Sequence, residues 1–203
     1  MADRTYGGRS VADRSAARRR QFLDAALEEF STAGYAASSV TSICRTAALS
    51  RRQFYELFVD REALLIALYD EIQQGARDAV ANALSASDSD DRRHLVTVAM
   101  RAFMASVVSD PRRAEVAFVQ IVGVSPAVES HRLDDREVWV GFFTAAMAEY
   151  AHRTPTDRDD DLAIAFVGAL TSVIHRWSTD PAPDRVDAIV DLLADILLSF
   201  ITL

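Results

Sequence analysis

Val40–Phe58 reads VTSICRTAALSRRQFYELF, and the way this stretch divides decides the fold. Val40, Ile43, Cys44 and Ala47 recur at helical spacing and give the first part a single apolar stripe. Leu49 breaks the rhythm, and Ser50 brings a hydroxyl able to cap the free N–H groups of a new helix. Phe54, Leu57 and Phe58 then form a second stripe, with Arg51, Arg52, Gln53, Tyr55 and Glu56 off it. The exposed start of the second helix thus carries two guanidiniums and an amide, the groups that read base edges in a major groove. The pattern predicts a helix-turn-helix whose recognition helix begins at Ser50. The same spacing also fits an ordinary helical hairpin with a basic surface.

The flanking sequence separates these readings. Upstream, Phe22, Leu23, Ala26, Leu27 and Phe30 lie on one face of a helix that Gly34 closes as a C-cap. It ends in FSTAGY, Phe30–Tyr35, and the Ser-rich link Ser38-Ser39 follows. Ile43 to Ser50 then reads ICRTAALS, followed by the triplet Arg51-Arg52-Gln53, the pair Phe54-Tyr55, then Phe58 and the run Arg61-Glu62-Ala63-Leu64. In this order, over about forty residues, the series resembles the DNA-binding domain of the TetR (AcrR-type) family of bacterial transcriptional regulators. The resemblance implies that Thr41, Tyr55 and Arg61 hold phosphates, with Arg45 exposed beside them. It also implies that Arg51, Arg52 and Gln53 face bases, where Arg suits guanine and Gln suits adenine. Ser50 completes the set, chiefly as a cap. Two residues depart from the family pattern: Ala48 stands where a turn glycine is usual, and Leu57 where a polar residue is. If position 48 takes a positive φ, Ala adds strain of roughly a kcal/mol.

The 203 residues are half apolar, enough to bury a sizeable core, and scarce Gly and Pro favour an all-α protein. The net charge of −8 is unevenly spread. Ten arginines against seven acidic residues leave positions 1–61 at +3, and twelve against twenty-three leave the remainder at −11. A mildly basic head on an acidic body turns its N-terminal part toward phosphate. There is no lysine, so every fixed side-chain cation is a guanidinium, able to grip phosphate or guanine bidentately. The single cysteine, Cys44, permits no internal disulfide and suits a reducing cytoplasm. No apolar run is long enough for a membrane span, and MADRTYGGRS does not read as a signal peptide; the expected location is cytoplasmic, with no membrane partner.

About nine helices are expected, in three regions: a flexible basic arm over 1–12, the helix-turn-helix domain over 13–60, and an effector-binding and dimerisation domain over 61–203. Asp60 caps a long helix from about Arg61 to Leu84, and SASDSDD at 85–91 is a loop. Helices follow at about 92–108, with Leu95, Val98, Ala99, Phe103 and Val107 inward, and from Pro111 to about Val122. Others run over about Ala127 to His152, 161–178 and 184–201, with RTPTDRDD at 153–160 as a loop.

In the last two helices, Leu162, Phe166, Leu170, Val173 and Trp177, then Ile189, Leu193, Ile196, Leu197 and Phe200, offer more apolar surface than one chain usually covers. They are expected to form a homodimer interface, as the resemblance also implies. Such a dimer presents two heads to a pseudo-palindromic double-stranded DNA operator. Met100, Phe103, Met104, Phe118, Trp139, Phe142, Phe143, Met147 and Phe166 supply either plain core or an apolar pocket for a small-molecule effector. Of the histidines, His131, His152 and His175 are possible polar groups there. No HExxH, GxSxG, P-loop, GxGxxG or metal-spaced Cys/His set occurs, so neither an enzyme, a cofactor nor a metal is expected. The expected function is a ligand-released repressor; the alternative is an adaptor of the same fold that binds protein instead of DNA.

Overall fold

The computed structural model describes residues 11–150, 152–179 and 185–201, and among them there is no strand. The helices are α1 (Val11–Thr32), α2 (Val40–Thr46), α3 (Arg51–Tyr55), α4 (Arg61–Ser85), α5 (Arg92–Val108), α6 (Pro111–Glu115), α7 (Pro126–Tyr150), α8 (Asp157–Thr179) and α9 (Val186–Ile201). A π-helical turn, Val116–Gln120, continues α6. The all-α expectation is met.

The chain forms two compact units, one up to Glu71 and one from Ile72 onward. In the first, α1 packs on α2 and α2 on α3. The expected faces meet: Phe22, Leu23, Ala26 and Phe30 of α1 are buried with Ile43, Phe54, Phe58, Leu64 and Leu65. Phe22, Phe54 and Phe58 form a three-ring core, with Phe22 edge-on to both partners. Helix α1 begins at Val11, inside the stretch read as an arm; positions 1–10 lie outside the described residues.

In the second unit, α7 packs along α8, and α9 lies on α5. Arg93 and Arg101 of α5 pair with Asp195 and Asp187 of α9, about two turns apart along the contact. Three sequence expectations need adjustment. Helix α8 starts at Asp157, four residues before the expected start, because Thr156 and Asp159 form a capping pair: the Thr156 N–H and Oγ1–H both donate to Asp159 Oδ2, at 2.8 and 2.7 Å. Arg153 adds two bonds to the same carboxylate, at 2.6 and 2.8 Å. Helix α5 buries Val96, Met100 and Met104 with Ala99, Phe103 and Val107, whereas Leu95 and Val98 are half-exposed. The expected Pro111–Val122 helix is α-helical only to Glu115; beyond it the Ile121 N–H reaches back five residues to the Val116 carbonyl.

Candidate nucleic-acid interface and effector site

The turn between α2 and α3 is built without glycine. The Leu49 N–H donates to the Cys44 carbonyl at 3.0 Å, and the Ala48 N–H to the Arg45 carbonyl at 3.2 Å. This is the double closure of a Schellman motif, which requires a left-handed residue after the cap. Ala48 supplies it with φ of 53°. The departure noted in the sequence therefore falls on a backbone position where a Cβ is strained.

Ser50 then caps α3, its side chain accepting from the Gln53 N–H at 3.3 Å. Gln53 reciprocates: its Oε1 accepts from the Ser50 N–H and Oγ–H, each at 2.9 Å. The carboxamide oxygen of Gln53 is thereby engaged in the cap, so its expected pairing with adenine requires breaking this box. Arg51 and Arg52 stand exposed on the first turn. Glu56 lies 3.3 Å from Arg52 Nε, leaving the terminal amino edge of that guanidinium outward. Tyr55 is 51% exposed, and Thr41 and Arg45 are exposed on α2. Six of the expected DNA-facing residues, Thr41, Arg45, Ser50, Arg51, Arg52 and Tyr55, are thus on the surface of the first unit.

Arg61 is placed differently. Its Nη1 donates to the Tyr35 carbonyl at 2.8 Å, to the Ser38 carbonyl and to Ser38 Oγ, and its guanidinium lies 4.0 Å from the Tyr35 ring centroid. The side chain is half-buried against the α1–α2 link. Cys44 is buried, and that burial pushes its thiol up and away from the reactive thiolate.

In the second unit five of the nine expected effector residues come together. Phe103, Trp139, Phe142, Phe143 and Phe166 form a continuous chain of ring contacts with centroids 4.7 to 5.9 Å apart. Met100, Met104, Phe118 and Met147 are buried as well, and Phe142 is half-exposed. Sequence reasoning missed the polar side of this cluster. Trp139 Nε1 donates to Gln73 Oε1 at 3.1 Å, and Arg77 pairs with Asp135 at 2.7 Å while its guanidinium lies 5.7 Å from the Trp139 ring centroid. The signal was present as two matched spacings of four, Gln73 to Arg77 and Asp135 to Trp139, each pair on one helix face. Of the histidines, His175 bonds through Nδ1 to the Phe118 carbonyl at 2.6 Å, beside the π-helical turn.

The expected interface residues divide. Phe166, Leu170, Trp177, Ile189, Leu193 and Leu197 are buried within the single chain, because the broad apolar stripes of α8 and α9 first close this unit's own core. Leu162, Val173, Ile196 and Phe200 are half-exposed, and Ile164 and Leu192 are each 47% exposed. Among the described residues no cluster of metal-ligating side chains occurs, and no helix is long and apolar enough to cross a membrane.

Comparison with known proteins places this geometry. Residues 22–68 match the family model of bacterial regulatory proteins of the tetR family. The fold is similar to that of the fatty acid degradation regulator FadR from Bacillus halodurans, 16% identical over 89% of this chain and 94% of that one, with a TM-score of 0.77. It is also similar to the transcriptional regulator FadR from Bacillus subtilis in complex with stearoyl-CoA, 16% identical over 89% and 98%, TM-score 0.75. A TetR-like transcriptional regulator from Rhodococcus sp. RHA1 is 22% identical over 92% and 97%, TM-score 0.71. None of the curated proteins matches the chain by sequence.

Proposed function

We infer, from a TetR-family DNA-binding domain carried on the fold of TetR-type, non-enzymatic regulators, that this chain is a sequence-specific, dimeric transcriptional regulator that represses until a small ligand releases it. The observation that supports it most directly is the first turn of α3, where a capped helix start holds Arg51 and Arg52 exposed. Phosphate contacts position such a head and base contacts give it specificity. Thr41, Arg45 and Tyr55 take the first role here, Arg51 and Arg52 the second. Ser50 keeps its place as the cap, and Gln53 reads a base only by leaving it.

A second copy packing on the exposed sides of α8 and α9 covers Ile164 and Leu192 together with Leu162, Val173, Ile196 and Phe200. Two-fold pairing sets two recognition helices at half-sites roughly one DNA turn apart, ~34 Å. The effector is apolar or amphipathic and enters by parting the aromatic and methionine side chains around Trp139. The stearoyl-CoA held by the similarly folded Bacillus subtilis protein supports an amphipathic ligand. Gln73, which Trp139 holds, lies on α4, the helix that starts at Arg61. Ligand lowers DNA affinity only in so far as it binds better to the arrangement that cannot hold DNA.

The test is an electrophoretic mobility shift against the DNA next to the chain's own gene, at low salt, then with stearoyl-CoA added. A specific shift that the ligand abolishes supports the whole reading. No shift even at low salt, where phosphate contacts are strongest, removes DNA binding and leaves the protein-binding adaptor. Light scattering at micromolar concentration decides the dimer.

A further inference from the structure

The resemblance that places the head on DNA also makes Arg61 a phosphate contact, yet its guanidinium is turned onto the protein. The link between α1 and α2 has a left-handed Gly34, φ 85°, and then buries two residues, Tyr35 and Ser38. Part of the link is held from within: the Ser38 N–H donates to the Gly34 and Tyr35 carbonyls, and Ser38 Oγ to the Tyr35 carbonyl at 2.8 Å. The carbonyls of Tyr35 and Ser38 both also accept from α4. Arg61 Nη1 donates to both, adding an anchor from outside to the Tyr35 carbonyl that Ser38 holds from within, and its guanidinium lies over the Tyr35 ring, 4.0 Å from the centroid. Ser38 is followed directly by Ser39, whose side chain caps α2 by accepting from the Ser42 N–H at 3.0 Å. One side chain at the first turn of α4 therefore fixes the backbone that leads into α2 and sets where Thr41 and Arg45 point.

We propose that Arg61 is a positioning residue for DNA binding, a clamp on the α1–α2 link that acts through the placement of α2 and not through a phosphate of its own. This rests on the DNA-binding reading for its functional consequence, while the clamp itself stands on geometry alone. Only a planar, multi-donor cation serves, since it stacks on a ring while its edge bonds carbonyls; an ammonium is a point charge and cannot do both. Lysine, which would satisfy a phosphate, does not satisfy this link.

The test compares full-length Arg61→Lys and Arg61→Ala with the unaltered chain by two measurements. The first is native-state amide hydrogen exchange over positions 36–42, which needs no DNA. The second is affinity for a short random-sequence duplex as salt is raised. The clamp predicts exchange in the link faster by roughly tenfold or more in both variants, with the amides of α1 unchanged. It also predicts that Lys weakens binding nearly as much as Ala, roughly tenfold, and that Ala leaves the slope of log affinity against log salt where it was. A phosphate contact gives the opposite: Lys binds like the unaltered chain, and Ala lowers the slope by about 0.9. Either that result or unchanged exchange in the link overturns the proposal. If Arg61→Ala fails to fold, judged by lost helical circular dichroism, the Lys variant decides on exchange and affinity. If the unaltered chain binds no DNA, the functional reading falls separately and exchange alone judges the clamp.

Discussion

The two units differ in how many of their arginines are left exposed around one feature. In the second, guanidiniums are paired with acids of the same unit: Arg77 with Asp135, Arg93 with Asp195, Arg101 with Asp187, Arg153 with Asp159. In the first, Arg18 and Arg20 are paired likewise, with Glu56 and with Asp24 and Glu71, but Arg45, Arg51 and Arg52 stand exposed around α2 and α3, Arg52 touching Glu56 through Nε, and Arg61 is turned inward onto a link. An exposed guanidinium contributes little to stability when its acid partner is also exposed, and a great deal to a phosphate or base that displaces water from it. Position, more than number, separates a structural charge from one offered to a partner. The acidic excess of the chain lies beyond position 61, so a net charge of −8 coexists with exposed arginines on α2 and α3.

This contrast is broken most severely in the second unit's core. Phe166 is fully buried and stacks edge-on against Phe143 at 4.7 Å. Phe166→Ala is expected to destabilise that unit by about 3–5 kcal/mol, read as a lower midpoint in denaturant, through lost transfer energy and the cavity left behind. A loss below about 1 kcal/mol means that the cluster is already loose enough to collapse around a void.

At the head the expected signature is reversed. Arg52→Ala removes a surface side chain, so the melting temperature stays put while discrimination between operator and random DNA falls by about 1–3 kcal/mol, roughly fivefold to 150-fold. Tyr55→Phe, which deletes the hydroxyl that the proposed function assigns to phosphate, is expected to weaken both DNAs alike. Fluorescence anisotropy with the two duplexes separates these outcomes, and an equal loss on both DNAs for Arg52→Ala removes its base-reading role.

Asp159 tests the paired charges through pH. Its carboxyl is held far below the usual carboxylate range, first by the Arg153 guanidinium and then by Thr156. A depressed folded pKa stabilises the fold above the unfolded value of about 3.9, and that stabilisation is lost as pH falls below it toward the folded value. Asp159→Asn is expected to lower stability by about 1–3 kcal/mol at neutral pH, since it removes a charged acceptor and the cap of α8 together. The gap between the two proteins then narrows as pH drops below about 4. A gap that stays constant with pH assigns the loss to packing rather than to charge.

How far each site was legible in the sequence follows from the same contrast. The head's motif is contiguous, so one stripe, one cap and one triplet in Val40–Phe58 specify its helices and its exposed arginines. Helical phase was harder to read where both sides of a helix are apolar: α9 has so little polar sequence that its buried residues Ile189, Leu193 and Leu197 resembled an outer surface. The aromatic cluster was legible as composition, but its polar partners were not, because Gln73 and Trp139 are distant in sequence and meet only after folding. Arg61 was incompletely legible for another reason. Its position in the motif matches the family, and only the fold shows its Nη1 among the carbonyls of the α1–α2 link.

The smallest expected effect is also the most local, and it has the opposite sign. Ala48 occupies a left-handed backbone, φ 53°, in the turn that sets α3 against α2. An alanine Cβ there crowds the following carbonyl by about 1–2 kcal/mol, a strain that glycine does not carry. Glycine gains freedom in the unfolded chain, which offsets part of this. Ala48→Gly is therefore expected to stabilise the head by about 0.5–1 kcal/mol, seen as slower amide exchange at Leu49, whose N–H closes the turn on Cys44. Operator discrimination should not change, because the turn keeps its geometry and Arg51 and Arg52 keep their places. If the substitution instead weakens DNA binding while stabilising the fold, the strain at Ala48 belongs to how α3 is presented.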